Sequence, residues 1–588
     1  MMRDTKSSLN IGIMTNSNKI RGFIMIKLTI LYFSILMVFS ACSDYNDVDH
    51  SPSVIGDIAD SDSWYDDMVD EVLEMRVIIP TPNDFNCTDF NDTNGTLRPC
   101  TLADINSDID ANDDYEPELH VNMQTDDFIS PNEMMNASFE QKGKTTRKAK
   151  QKSYRIKLDS KENLYKDERT YQLNKHPYDN SRVRNKLAFD LLKTIPHITS
   201  LKTEFIHLDI DSSEHNISDE NSSDYGLFTH VEKVGKEFLI NRGWSKEDYL
   251  WKAQNFSFRL HAGLAIDKDG KPIDPEAFDS ILERERGKDQ TKLHEMLESV
   301  NSHDIDTVEK YFNRNNYLTW MAVNIVMGNK DTVSQNFFLY NPLYSDTFYF
   351  LPWDYDGAAR ANEEYGKPEL GISNWWDVPL HKKFLSVKQN RKDLDDMVNN
   401  LRANYITPEI IQERLDIYKP LIEKYILRQP DNKLEYIEWQ NEFNILIPRL
   451  EDNIANYKSQ EGHPMSFWQV AEYNTTVDGL LNLAWGKSID FEGDAITYDL
   501  VIATTPALSD TVIYHKEDIA DIGIKNDIFL SVDIELEAGT YYMKVISREI
   551  ENPTHYQIAF DQISETFLDD SGGLAYKTYF GVLEFVVE

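Results

Sequence analysis

The sequence predicts an α+β protein, with a mixed core followed by an all-β C-terminal region. In residues 311–327 the apolar side chains fall mostly on one helical face, with a period of about 3.6, and Gly328 follows as a stop signal. Residues 336–340 and 347–353 are aromatic-rich and flank a turn-like segment, so they predict a β-hairpin. From about residue 464 onward, apolar and polar residues alternate as in half-buried strands.

The length of 588 residues fits roughly two to four domains. We expect a signal peptide at 1–41, an acidic tether at 42–117, a mixed α and β domain at 118–463 and a β-sandwich at 464–588. The Trp485 element and the Gly539-Thr-Tyr-Tyr strand resemble a fibronectin type III module, continued by a strand-forming tail. No catalytic constellation is found there, so a spacer or docking role is expected.

The segment between Gly328 and Gly357 carries the strongest functional signal. Asp331 follows the predicted helix on a loop, Asn336 opens the hairpin, and Asp354 and Asp356 follow its second strand. Protein kinases space a catalytic base and two Mg²⁺ ligands in this way. With a turn near residues 343–345, Asn336 would lie opposite Trp353, one step from Asp354. Asp and Asn are also common in turns for local reasons, and that alternative stays open here.

Several separated stretches together resemble the CotH family of secreted atypical kinases, named for spore coat protein H. They cover residues 118–449 in the right order: Lys152-Ser-Tyr-Arg-Ile-Lys157-Leu, Ser181-Arg-Val-Arg184-Asn-Lys-Leu-Ala-Phe-Asp, Tyr225-Gly-Leu-Phe-Thr-His-Val-Glu232, Gly328-Asn-Lys-Asp331, Asn336-Phe-Phe-Leu-Tyr and Trp353-Asp-Tyr-Asp356. The resemblance implies a protein-kinase-like core that moves the γ-phosphoryl group of ATP to a protein hydroxyl. Asp331 would then be the base, Asn336 and Asp354 would hold Mg²⁺ or Mn²⁺, and Asp356 would assist.

The phosphate-binding residues are less clearly marked. No suitable Gly-x-Gly-x-x-Gly is present, and Gly143-Lys-Thr is no P-loop because Ser138 stands where its first glycine is needed. The resemblance leads us to expect Arg-Gly-x-Ser here, whereas this chain has Lys142-Gly-Lys-Thr, so the role of the loop stays open.

A basic stretch offers candidate ligands for the triphosphate. Residues 140–186 hold fifteen lysines and arginines against six acids. We expect Lys157 and Glu232 to form the pair that positions phosphates, with Arg184 as a further anion contact. Trp353, and Trp251 with Lys252 beside it, are candidates for contact with the nucleotide base. A solvated charged face and a core position are the respective structural alternatives.

The opening residues predict export. Lys27 precedes an apolar run at 28–38 that ends in Phe-Ser-Ala-Cys42, the layout of a bacterial lipoprotein signal, with Met25 as a candidate start. The run is shorter than the ~20 residues that span a membrane. We expect lipidation at Cys42 and anchoring in a bacterial cell envelope, on the outer membrane or the cell surface.

The segment after Cys42 is polar and acidic, which is typical of a tether. Cys87 and Cys100 predict a small disulfide loop in an exported chain. Oxygen-rich clusters nearby resemble Ca²⁺-loop material without completing a known pattern: Asp89, Asn91, Asp92, Asn94, Asp104, Asp108, Asp110, Asp113 and Asp114. The net charge of −40 argues against a nucleic-acid partner.

Two other classes of function compete with the kinase. Residues 351–357 resemble the first motif of haloacid-dehalogenase-type phosphatases, but they lie deep in the chain and Ala358 follows where Thr or Val is usual. The second class is a surface scaffold or adhesion lipoprotein with an inactive core. The joint presence of Asp331, Asn336, Asp354 and Asp356 favours activity and, with it, an exported or surface protein as substrate.

Overall fold

The structure is a computed structural model in which helix and strand occur in nearly equal amounts, 30% and 31%, so the mixed α and β class is confirmed. It describes residues 56–58, 60–66, 68, 70–88, 96–109, 115–129, 134–160, 164–212, 223–303, 306–359, 371–474, 480–509, 511–522, 526–568 and 574–587. The predicted signal peptide, Cys42 and most of the acidic cluster at 89–114 lie outside these ranges. Within them, no helix combines the length and the apolar character needed to cross a bilayer.

The first part of the chain forms a closed barrel in the order β1-β4-β5-β6-β7-β9-β8. Only the contact between β1 and β8 is parallel. The elements of this part are β1 (Val72–Ile78), β2 (Asn86–Thr88), β3 (Leu97–Pro99), α1 (Leu102–Ser107), β4 (Glu118–Thr125), β5 (Ala137–Lys142), β6 (Ser153–Leu158), β7 (Thr170–Asn174), α2 (Arg184–Leu192), β8 (Thr203–Asp211) and β9 (Asp224–Val231).

The predicted tether at 42–117 is wrong for much of its described part. β1 closes the barrel and buries Met75 and Val77, since this short run alternates apolar with polar residues although the segment as a whole is acidic. Cys87 and Cys100 form the predicted disulfide, with their Cα atoms 4.9 Å apart. Of the suggested Ca²⁺ ligands that the structure describes, Asp104 pairs with Arg98 and Asp108 with Arg147, so both carboxylates already have cations.

The second part is built on an antiparallel sheet in the order β11-β10-β12-β13. A helical layer follows it. The elements are α3 (Lys236–Asn241), β10 (Tyr249–Ala253), α4 (Pro275–Ile281), β11 (Leu282–Arg286), α5 (Thr291–Asn301), α6 (Thr307–Tyr311), α7 (Arg314–Met327), β12 (Phe337–Asn341), β13 (Tyr349–Pro352), α8 (Ser373–Trp376), α9 (Pro379–Ser386), α10 (Lys388–Asn404), α11 (Pro408–Ile426), α12 (Tyr436–Asn444) and α13 (Leu446–Ser459).

The C-terminal region contains three antiparallel sheets: β14-β15-β18, β17-β16-β19-β20 with β23 beside β19, and the hairpin β21-β22. Side chains of the first two sheets, among them Trp485 and Val545, share one buried cluster. Strands predicted near 481, 497, 527 and 539 are confirmed. The elements are β14 (Gln469–Asn474), β15 (Leu480–Gly486), β16 (Ile496–Ala503), β17 (Val512–Ala520), β18 (Asp527–Asp533), β19 (Gly539–Glu549), β20 (Tyr556–Ile558), β21 (Gln562–Leu568), β22 (Leu574–Phe580) and β23 (Val582–Val587).

This region packs directly on the preceding helices. Met465, Ile558 and Phe560 belong to the same buried cluster as the side chains of α7 and β12. Ser373 Oγ accepts a hydrogen bond from the Ser466 backbone N–H at 3.2 Å. The C-terminal sheets therefore share part of their core with the helical layer.

Candidate active site

Helix α7 positions the loop that carries the predicted base. The helix is amphipathic in sequence and almost entirely buried, and Gly328 ends it with a left-handed φ of 63°. A Cβ atom at Gly328 would lie 2.3 Å from the Asn453 side-chain amide, so no larger residue fits without a shift. The predicted helix is confirmed from Arg314 onward, whereas Tyr311 ends the separate helix α6. The stop at Gly328 is confirmed, and the loop leaves a rigid, buried element.

Asp331 lies on this loop with an exposed side chain. Its carboxylate accepts hydrogen bonds from the Gln335 side chain and, at 2.8 Å, from Asn336 Nδ2. Because the amide nitrogen of Asn336 is used in this bond, its amide oxygen is the atom left for a cation. The two predicted residues are therefore in direct contact.

The hairpin brings the second half of the motif to the same place. Phe337 pairs with Pro352, so the register puts Asn336 level with Trp353, as predicted. Asn336 and Asp354 have left-handed φ values of 57° and 56°. Such values are uncommon outside glycine and tend to occur where a site requires a particular side-chain direction.

Contacts with the loop and with α2 hold the acidic segment after β13. Asn329 Nδ2 donates to the Asp354 backbone oxygen at 3.4 Å, and the Tyr355 backbone N–H donates to Asn185 Oδ1 at 3.2 Å. His176 Nδ1 lies 3.5 Å from Asp356 Oδ2. The loop and helix α2 thus hold the backbone of this segment, and His176 contacts the carboxylate of Asp356.

The electrostatics of Asp354 favour a bound cation. Burial raises the pKa of Asp354 to about 7, and the neighbouring charge of Asp356 adds to this effect, whereas Lys142 opposes it. Among the described residues, no side chain donates a hydrogen bond to the Asp354 carboxylate. A divalent ion would remove the repulsion, and the oxygen donors of Asp354, Asp356 and Asn336 fit the preference of Mg²⁺ or Mn²⁺.

Two lysines form the cationic side of the site. The Nζ atoms of Lys142 and Lys252 each lie 5.6 Å from the centroid of the Trp353 ring. Burial lowers the pKa of Lys142 to about 7; Asp354 counteracts this shift and Lys252 adds to it. Two ammonium groups facing one indole next to a carboxylate pair would accommodate a polyphosphate, which neutralises them both.

The structure does not bring the predicted Lys157–Glu232 pair together. Lys157 is exposed on β6. Glu232 is buried and pairs with Arg242 at 2.9 Å, and it also accepts the Lys202 backbone N–H. The two do not pair because Lys157 is exposed, whereas Glu232 is buried with Arg242. Lys142, at the end of the adjacent strand, is the lysine that lies near Asp354.

Two other nucleotide candidates have structural partners. Arg184 is buried and donates to Asp179 at 2.8 Å. Trp251 is buried in the core, and its indole N–H donates to Gln290 at 2.6 Å, so it offers no face to a base. Trp353 is 8% exposed, which leaves little of its ring for stacking on a base.

Sequence reasoning missed Lys142, His176, Asn185 and Asn329 as parts of the site. Lys142 lies within the basic stretch, and nothing in the sequence distinguishes it there from Lys157. Asn185 and Asn329 lie within stretches already singled out by resemblance. His176 carried no signal in the sequence.

In this mixed α and β protein, the hydrogen-bonded pair of Asp331 and Asn336, the carboxylates of Asp354 and Asp356, and two lysines lie in one region. The chain belongs to the family described as CotH kinase protein, whose model matches residues 139–456. One relative is the inner spore coat protein H of Bacillus subtilis (strain 168), which is 21% identical over 365 residues. The match spans 60% of this chain and 93% of that protein.

Proposed function

We propose that this protein is an exported, lipid-anchored protein kinase that transfers the γ-phosphoryl group of ATP to a protein hydroxyl. One observation carries the proposal: Asp331 and Asn336 are in contact beside Asp354 and Asp356, with Lys142 and Lys252 next to them. Family membership supports it, because the family's description is that of a kinase.

Each side chain has a role in this reaction. The acceptor oxygen forms a bond to the γ-phosphorus while the bond from that phosphorus to the β,γ-bridging oxygen breaks, and ADP leaves. Asp331, oriented by Asn336 and Gln335, takes the hydroxyl proton. Lys142 and Lys252 bind the phosphates. When bound by Asp354, Asn336 and Asp356, Mg²⁺ or Mn²⁺ neutralises charge on the β- and γ-phosphates.

The phosphatase alternative loses support. Its aspartate belongs at the end of a strand in a parallel α/β sheet, whereas β13 is paired antiparallel with β12. The scaffold alternative remains the competitor, because it needs only the fold. A surface location is consistent with the relative, whose name places that protein in a spore coat. We propose that lipidation at Cys42 supplies the membrane anchor. We also propose that the C-terminal sheets form a fibronectin type III-like module that acts as a spacer or docking unit.

The decisive experiment uses radiolabelled ATP, with Mg²⁺ and Mn²⁺ compared, and the chain without residues 1–42. Asp331→Asn should lower phosphoryl transfer by about 10²–10⁴-fold with ATP binding retained, because the base is lost. Asp354→Asn should weaken metal-dependent ATP binding, because a ligand charge is lost.

Asp346→Asn is the matched control, since Asp346 is an exposed aspartate beyond the far end of the same hairpin. It should transfer like the wild type. Equal transfer by all three variants, each with wild-type thermal melting, would refute the assigned roles. Absence of both ATP binding and transfer in the wild-type chain would favour the scaffold.

A further inference from the structure

A cavity of about 220 Å³ lies beside Asp331 on the face formed by α7 and α13. We call it the Asp331 cavity. Asp331 lines it together with Asn329 from the loop, Ile325 from α7, Tyr457 from α13 and Trp375 from α8. Since Asp331 also contacts Asn336, the same residue lines the cavity and contacts a proposed ligand of the metal.

The size of the cavity limits what it can hold. Sites for nucleotides and other small molecules have volumes of roughly 300–1,000 Å³. At about 220 Å³, this cavity is too small for a nucleotide but large enough for one bulky amino-acid side chain. The nucleotide is already accounted for by Lys142 and Lys252.

The chemistry of the lining favours an uncharged occupant. Its surface combines aromatic and aliphatic groups with side-chain amides, and among the described residues that line it only Lys330 and Asp331 are charged. Asn329 is 1% exposed, and its Oδ1 has no hydrogen-bond partner among the described residues. A buried acceptor of this kind is costly unless something donates to it, as a backbone or amide N–H of a bound segment would.

The C-terminal region completes the wall. Gln562 and Phe580 line the cavity and lie directly opposite each other in the β21–β22 hairpin. Phe580 also packs against the main hydrophobic core. The hairpin therefore contributes an apolar ring and an amide to the cavity that Asp331 also lines.

We propose that the Asp331 cavity binds a large uncharged side chain that flanks the hydroxyl-bearing residue of the protein substrate. The C-terminal hairpin would then take part in substrate selection and would not be a spacer only. This inference rests on the proposed kinase function. It follows from the position of the cavity at the base, its single-side-chain volume and its neutral lining.

The test uses serine peptides in which one residue next to the serine is Leu, Phe, Asn, Asp or Lys. Phosphorylation by the full exported chain should favour Leu, Phe or Asn over Asp and over Lys by roughly tenfold in kcat/KM. Phe580→Ala and Gln562→Ala should reduce that preference through the peptide KM, with the KM for ATP unchanged. Phe580→Leu should keep more of the preference than Phe580→Ala does, because leucine replaces part of the lost apolar surface.

Tyr579→Ala is the matched control, because Tyr579 is the neighbour on the same strand and its hydroxyl donates to Glu565. It should keep the preference. A second measurement needs no catalysis: fluorescence anisotropy of the Leu peptide with alanine in place of serine, which should bind the wild type more tightly than Phe580→Ala.

The outcomes separate the two proposals. If the chain transfers phosphate but the preference is the same in wild type and Phe580→Ala, or no peptide is labelled or bound, the cavity proposal is overturned and the kinase stands. If the chain neither binds ATP with metal nor transfers phosphate, the kinase proposal fails and this inference fails with it.

Discussion

At the scale of single residues, the pKa values of Lys142 and Asp354 depend on each other. Burial disfavours the charge on both, and each partly offsets the shift of the other. Asp356 raises the pKa of Asp354 further and Lys252 lowers the pKa of Lys142 further, because each adds a like charge next to its neighbour. A metal and a triphosphate would satisfy both sets of charges together, which is why we assign the nucleotide to this place.

Replacing Lys142 tests this assignment against the one expected from the sequence. Lys142→Gln should weaken ATP binding by about 10–100-fold, because a charge-assisted contact to phosphate contributes about 1.5–3 kcal/mol. Lys157→Gln, on the adjacent strand and exposed, should leave ATP affinity unchanged. Titration calorimetry with Mg²⁺ present measures the ATP affinity of both variants. A loss of affinity in Lys157→Gln alone would favour the pair of Lys157 and Glu232 that was expected from the sequence.

His381 makes the stability of the core depend on pH. It is buried among aromatic rings, and burial lowers its pKa from 6.5 to about 3. The unfolded chain takes up a proton below pH 6.5 whereas the folded one does not, so the free energy of unfolding falls as the pH drops. When the pH is lowered from 7.5 to 5.0, His381 should reduce the free energy of unfolding by about 2 kcal/mol.

His381→Phe should remove that part of the pH dependence. The variant keeps the ring but loses the hydrogen bond with the Tyr317 hydroxyl, so it is expected to be less stable at pH 7.5. The comparison is therefore the change in denaturation midpoint between the two pH values. An equal change in both proteins would show that His381 does not bind the proton on unfolding.

At the scale of elements, the join between α7 and its loop is the critical feature. Gly328 allows α7 to end with a left-handed residue while Asn453 of α13 packs against it and donates to the Val326 backbone oxygen at 3.2 Å. Two helices and the loop that carries Asp331 therefore meet at one backbone position. A change there should affect both stability and chemistry.

Gly328→Ala should destabilise the protein by more than the cost of a left-handed alanine, which is roughly 1–2 kcal/mol. Gly243→Ala is the control, since Gly243 has a φ of 71° and open space around its Cα. The additional destabilisation of Gly328→Ala over Gly243→Ala measures the clash with Asn453. Phosphoryl transfer should fall only in Gly328→Ala. Equal melting temperatures for the two would contradict this account.

At the scale of the whole molecule, the C-terminal sheets both fold on their own core and extend the core of the preceding part. Trp485 and Val545 belong to the first cluster, and Ile558 and Phe560 to the second. Residues 464–588, predicted from the sequence to form a β-sandwich, thus make contacts both within their own core and with the preceding part. Removal of this region should lower the stability of the remaining chain without changing its affinity for ATP.

Deletion of residues 464–588 should lower the melting temperature by on the order of 10 °C, because several buried side chains lose their cover. Affinity for ATP with Mg²⁺ should stay near the wild-type value, since the partners of Lys142, Lys252 and Asp354 all come from the core. Scanning calorimetry and ATP titration measure the two effects. Loss of ATP binding in a folded truncated chain would show that the two regions act as one unit.

Local signals alone were enough to predict α7, its glycine stop, the hairpin and the pairing of Asn336 with Trp353. The helical period, turn chemistry and strand register act over a few residues, so they can be derived from neighbours in the chain. The same reasoning predicted the disulfide between Cys87 and Cys100, which are close in sequence.

Only the tertiary structure decided which cation faces the acids. Lys142 and Lys157 lie on adjacent strands of one barrel, both within a basic stretch, and no local pattern distinguishes them. In the folded chain Lys142 lies near Asp354, which follows β13 of the other sheet, and Glu232 pairs with Arg242, a partner that the sequence did not mark. Charge pairing between distant residues depends on how strands close and pack, and that information is spread over the whole chain.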